Sequence, residues 1–291
     1  MEANIKQLPN VVKELIQRKR KKFLQYREKY KFNEDDLNLK TVLDSDFDFV
    51  QHMCDHTEDW KVLHHDPNIT SYKSKENYTT IKDMKMQKHL TTVPYSIENV
   101  AKTLLVDRSL SEKSGMVVSS QFHHYQELNP NISSQKYSTV VHTCVMNYGA
   151  IFKKRSLENV ITSRASFCGG KVQEILQIYK TCTYVSKTDD SKAPVKVVII
   201  GGRLISRLDS NRTRVTDARL FNVGGAFMNS DLVVFGLASK KVMDDFSKML
   251  KNSLREAELK GFPAPDPIKN NNWRALADYC RIHCGIDINK W

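Results

Sequence analysis

Residues 230–259 read SDLVVFGLASKKVMDDFSKMLKNSLREAEL, preceded by Gly224-Gly225 and followed by Gly261-Phe262-Pro263. Ser230 or Asp231 supplies an N-terminal cap, and the glycine and proline past Leu259 end the run. Phe235, Ala238, Val242, Phe246 and Met249 recur at three- and four-residue steps, with Met243, Leu250 and Leu254 alongside. The spacing predicts one long helix with a broad apolar face. A face that wide needs an extended surface to bury it. The upstream sequence supplies one.

Six strand-like segments lead into the helix, at 116–125, 138–148, 157–167, 172–184, 195–206 and 212–222. They are broken at Asn129-Pro130-Asn131, Gly149, Gly169-Gly170, residues 189–194 and Asp209-Ser210-Asn211. Three more, at 60–65, 69–75 and 81–93, come before a short helix that Ser96 caps and Ile97, Val100, Ala101, Leu104 and Leu105 make apolar on one side. Connections this short favour antiparallel hairpins over βαβ crossovers. The predicted class is α+β: a curved antiparallel sheet of about nine strands wrapped around the long C-terminal helix. An acidic helix begins near Asp44, with Phe47 and Val50 on its apolar side. The chain divides into a basic N-terminal helix and linker (1–43), the sheet-and-helix domain (44–260) and a tail with a short helix (261–291).

Lys+Arg 45 against Asp+Glu 33 gives a net charge of +12. Ten basic and three acidic residues before Phe32 make a basic arm of +7, which leaves +5 for the rest. That asymmetry points to an acidic partner, nucleic acid or anionic lipid. Phe23, Tyr26 and Tyr30 continue the apolar stripe of Val12, Leu15 and Ile16 instead of forming a base-stacking platform. Nucleic acid is therefore not the expected partner. Arg18, Lys19, Arg20, Lys21 and Lys22 are left to meet an anionic membrane surface. No apolar run reaches the ~20 residues of a membrane helix, and residues 1–10 carry no apolar signal core, so the expectation is a cytoplasmic protein, peripheral at membranes.

The search for catalytic chemistry is negative. The sequence has no Gly-x-Ser-x-Gly elbow, no phosphate-binding loop and no His-Glu-x-x-His. Gly201-Gly202-Arg203 falls inside a strand pattern and reads as a kink in the sheet. The six cysteines form no disulfide framework, and neither His52-x-Cys54-x-His56 nor Cys280-x-x-His283-Cys284 has the spacing of a zinc half-site. The reading is a non-enzyme with no metal and no cofactor.

The element order, with Asp59-Trp60 opening the first strand, Ser96-Ile97-Glu98-Asn99-Val100 opening the middle helix, 195–202, Thr213-Arg214-Val215-Thr216 and Phe221-Asn222-Val223-Gly224-Gly225, resembles the START lipid-transfer domain and its helix-grip fold over about 44–259. The sequence departs from the family at Asn222, where the family has Asp, and in lacking the proline after the Lys-Gly turn. Arg164, six residues after Glu158, matches the family's cavity arginine. The resemblance implies non-catalytic binding of a lipid or sterol, for transfer or sensing. The alternative is a regulatory protein-interaction module whose grip is filled by its own side chains.

If the grip encloses a cavity, one face of 138–148 lines it with His142, Cys144 and Met146, and the long helix adds Phe235, Val242, Met243 and Phe246. Arg164 then meets a polar head or, alternatively, faces solvent. Antiparallel connectivity gathers the loops 149–156, 185–194 and 223–229 at one rim. There Phe152 beside Lys153, Lys154 and Arg155 suits an anionic membrane.

Overall fold

The computed structural model describes residues 42–67, 69–77, 85–106, 117–124, 137–147, 154–181, 195–222 and 238–291. The basic segment with Arg18, Lys19, Arg20, Lys21 and Lys22 lies outside them, as do Phe152, Lys153 and Phe235. Helix α1 (Asp44–Asp55) leads into β1 (Trp60–His65), β2 (Ile69–Asn77) and β3 (Lys85–Val93). Helix α2 (Ile97–Leu104) is followed by β4 (Val117–His124), β5 (Thr139–Met146), β6 (Arg155–Cys168), β7 (Lys171–Thr181), β8 (Val195–Arg207) and β9 (Thr213–Asn222). Helices α3 (Ala238–Leu259) and α4 (Asn271–Tyr279) complete the chain.

The nine strands make one sheet in the order β1-β2-β3-β9-β8-β7-β6-β5-β4. After β3 the chain crosses by α2 to the far edge and meanders back until β9 closes on β3. Beyond the end of β7, β6 and β8 pair directly and in parallel at residues 155–157 and 195–197. The sheet is thus curled tightly enough for next-but-one strands to meet.

Both faces of the sheet are covered. On one, Phe47, Val50 and Met53 of α1 pack on Val160, Leu176, Ile178, Ile200, Ala218 and Leu220. On the other, α2, α3 and α4 share a core with Ile175, Ile205 and Val215, into which Leu250, Leu254, Trp273 and Leu276 are buried. Covered on both sides, the central strands carry apolar residues at odd and even positions alike. The Gly201-Gly202 kink is a steric requirement. A Cβ on Gly202 would lie 2.2 Å from Gln177 O and 2.7 Å from Val50 Cγ1, and Gly201, at φ +148°, would put one 2.2 Å from Ala218 O. Helix α1 sits directly on Gly202, and the gap around its contact with Ile178 and Ile200 is only about 10 Å³, room for one water.

Two buried lysines from the sheet hold α1 at its ends. Lys180 Nζ meets Asp46 Oδ2 at 3.1 Å in the first turn. At the other end Lys88 Nζ donates to Met53 O at 3.2 Å and to His56 O, carbonyls that the helix terminus leaves without internal donors. The same ammonium lies 4.5 Å from the Trp60 ring centroid and 5.3 Å from that of Tyr72. Burial outweighs the nearby Cys54 and Asp55 and pushes Lys88 down to about 8. Below that pH both folded and unfolded chains carry the proton, and the fold bears the whole cost of a buried charge. As pH rises from about 8 to 10.5 the folded chain gives the proton up first, so this group adds roughly 3 kcal/mol of stability. Lys88→Met is expected to remove that gain. Urea unfolding of both proteins at pH 8 and pH 10 measures it, and parallel pH slopes would show that Lys88 titrates normally.

Residues 261–291 are built into the same core. Trp273, Leu276, Cys280 and Ile288 are wholly buried beside the ends of α2 and α3. Trp273 Nε1 donates to Asn289 Oδ1 at 2.9 Å, and its ring meets that of Trp291 edge-on.

Candidate functional site

Register builds a polar row across the sheet face that α3 covers. Ser71 stands opposite His89, His89 opposite Asp217, Asp217 opposite Arg203, Arg203 opposite Gln177, and Gln177 opposite Ser163. The row spans six strands, and its side chains are buried apart from a 12% exposed Arg203. Arg203 Nη2 bonds Asp217 Oδ2 at 3.1 Å, and Arg219 Nε lies 3.3 Å from Asp217 Oδ1. Phe246 of α3 covers the Arg203 guanidinium at 5.4 Å. Beside the row, Tyr179 donates to Gln177 Oε1 at 2.5 Å.

With Arg219 beside it, the row carries uncancelled positive charge. Burial, reinforced by Arg219 and opposed by Asp217, pushes His89 down to about 3, so the ring is neutral. Burial alone would raise the Asp217 carboxyl, but Arg219 and Arg203 hold it below the ordinary carboxylate range. Two guanidiniums therefore share one carboxylate. His89 Nδ1 is 3.2 Å from Ser71 Oγ, whereas His89 Nε2 and Arg203 Nε are buried without a hydrogen-bond partner. Buried polar atoms are almost always satisfied, and these two lie under the long helix with no partner among the described residues.

Next to the row on this face is an apolar wall of Cys144, Leu157, Val197 and Ile199, joined by Met146 and Tyr179. A second polar group stands at its edge. His142 Nδ1 is 3.1 Å from Asn159 Oδ1, its Nε2 is 3.1 Å from Ser120 Oγ, and its ring stacks on Phe122 at 4.2 Å. Burial pushes this imidazole down to about 4, although Asn159 supports its protonated form.

Of the residues picked out in the sequence, His142, Cys144, Met146 and Phe246 all reach this face. Val242 and Met243 are in α3, with side chains outside the description. Arg164 is on the opposite face. It pairs with Leu176 in register, lies 4.8 Å from the Phe47 ring and is 3.9 Å from Asp48 Oδ1, so it meets α1 and solvent instead of the long helix. Lys154 is exposed, but Arg155 is buried at 4% exposure as the first residue of β6. Register brings the starts of β6 and β8 and the end of β9 to one end of the sheet. The loops beyond them fall outside the described residues.

No family model and no curated protein matches the sequence. Solved structures do. Human StAR-related lipid transfer protein 5 superposes with a TM-score of 0.57 at 11% identity, over 74% of this chain and 95% of that one. Human STARD10 gives 0.58 at 14%, over 79% and 89%. The lipid transfer and protein localization domain of human StarD13 gives 0.50 at 15%, over 74% and 98%. In fold, the chain is START-like.

Sequence reading of the START-like domain missed Arg203, Asp217 and His89. The signal was present as charged residues at interior positions of strand patterns, Arg203 in Val195–Arg207 and Asp217 in Thr213–Asn222. A buried charge there needs a partner on the neighbouring strand, and register supplies it. Among the described residues no helix is long and apolar enough to cross a membrane.

Proposed function

We propose that the START-like domain binds a lipid between its sheet and α3, for transfer or sensing, with the polar head on the Arg203–Asp217–His89 row. The apolar part lies along Cys144, Leu157, Val197 and Ile199. The reading rests chiefly on His89 Nε2 and Arg203 Nε, buried without partners among the described residues, beside the net positive charge that Arg219 brings to the row. An unmade buried hydrogen bond costs about 1–3 kcal/mol, which a ligand's acceptor atoms recover at Arg203. A guanidinium suits phosphate, carboxylate or carbonyl oxygens. The similar human structures described above, StAR-related lipid transfer protein 5 and the lipid transfer domain of StarD13, support the same reading. The rim carrying Phe152, Lys153 and exposed Lys154, with the basic residues Arg18, Lys19, Arg20, Lys21 and Lys22, is proposed as the contact with an anionic membrane. Buried Arg155 is left out of that contact.

The two arginines on opposite faces provide the test. Purified protein is expected to carry lipid detectable by native mass spectrometry and solvent extraction. Arg203→Met should reduce that lipid at least tenfold and keep the fold, because Asp217 retains Arg219. Arg164→Met should leave the lipid unchanged. Lipid lost from the Arg164 variant and kept by the Arg203 variant would overturn the assignment, as would a wild-type protein empty of lipid.

A further inference from the structure

We infer that Ser120, His142 and Asn159 form a nucleophile–base–orienting chain that makes Ser120 an acceptor of acyl groups from carboxylic esters. This goes beyond the lipid-binding reading, because the polar row takes no part in it. Three strands bring the residues together. Phe122 and Asn159 both stand opposite His142, and Ser120 stands opposite the adjacent inward residue, Cys144. The contacts run in the order acyl transfer needs: Ser120 Oγ to His142 Nε2 at 3.1 Å, then His142 Nδ1 to Asn159 Oδ1 at 3.1 Å.

Each partner has the character its role requires. Asn159 is buried, and its carbonyl oxygen accepts from Nδ1–H, leaving Nε2 as the acceptor that faces the serine hydroxyl. Stacking on Phe122 with only 7° between the planes fixes the ring. Ser120 itself is half-buried and stays reachable. It lies on the outermost strand, two residues past a register skip at Val118. Such bulges re-aim side chains and recur beside active sites. The next strand in register, β6, supplies Leu157, part of the apolar wall, opposite Cys144.

In the step, Ser120 Oγ attacks the ester carbonyl carbon and its proton passes to His142 Nε2. The carbon–alkoxide bond breaks, and the leaving alcohol takes that proton from His142. A water molecule, deprotonated by the same nitrogen, then hydrolyses the acyl-serine to a carboxylic acid and restores Ser120. The apolar wall favours an ester with an alkyl or acyl chain.

A fluorophosphonate probe, which phosphonylates activated serines with loss of fluoride, tests the assignment on the full chain. The expected result is one adduct by intact mass, mapped to Ser120 and absent from Ser120→Ala. His142→Gln, with an unchanged melting temperature, should label about 100-fold more slowly or worse. If His142→Gln does not fold, the partly exposed Ser120→Ala decides the question, with p-nitrophenyl butyrate hydrolysis as a second readout lost in that variant. No adduct on the wild type, an adduct elsewhere, or equal hydrolysis by Ser120→Ala would overturn it and leave a structural hydrogen-bond chain. Lipid content measured on the same samples keeps this outcome separate from the fate of the binding site.

Discussion

A chain ended at Lys260 is expected to lose its cooperative thermal transition. The missing segment holds Trp273, Leu276, Cys280 and Ile288, all wholly buried. Burying one such apolar side chain contributes about 1.5–3 kcal/mol, and a domain has only about 5–15 kcal/mol in total. The loss has a second part. Val93, Ile97, Val100, Leu250 and Leu254 share the cluster with the missing residues, so their contacts would open to water. Trp273→Ala alone should cost about 3–5 kcal/mol, because the cavity it leaves is walled by α2 and α3 and cannot collapse freely. Calorimetry of the truncated chain is the measurement. A transition within a few degrees of the full chain would mean that the tail merely rests on the domain.

The second large effect is expected from Asp217→Ala. It takes the one carboxylate from between Arg203 and Arg219, leaving a nearly buried guanidinium without its counter-charge. Breaking a buried pair from one side typically costs about 3–5 kcal/mol. Arg219, 27% exposed, can turn to water, whereas Arg203 under Phe246 cannot. Asp217→Leu combined with Arg203→Met should therefore recover most of the stability while losing bound lipid. Chemical unfolding of the single and double variants gives the comparison. A double variant no more stable than Asp217→Ala would show that the row is held by shape, not by charge.

The strands and their antiparallel order were legible because turn residues such as Gly169-Gly170 and Asp209-Ser210-Asn211 punctuate clear runs of β-forming residues. The face carrying His142, Cys144 and Met146 was legible for the same reason, since alternate residues of one strand share a side. Alternation groups residues without saying which group faces the helix, and that is where Arg164 was misplaced. In β6, Val160 and Thr162 on one side are as buried as Ile161 and Ser163 on the other. With α1 covering the outer face, hydrophobicity gives no sign to the pattern. The Arg203 row was hidden differently: its members are far apart in sequence, and only strand register joins them. The Ser120–His142–Asn159 chain was hidden likewise.

The pairing of β3 with β9 joins Val93 to Thr213 and closes the whole meander into one sheet. Closing so long a loop carries an entropic cost before any contact across it forms. It should therefore fall late in folding, after the β5–β9 hairpins exist. His89 and Asp217 meet only at that step, so no fragment or half-folded chain owns the complete row. On the proposed reading, a newly made chain cannot load a lipid until the last strand docks. Ligand supplied during refolding should then slow unfolding while leaving the early hairpin phase of refolding unchanged.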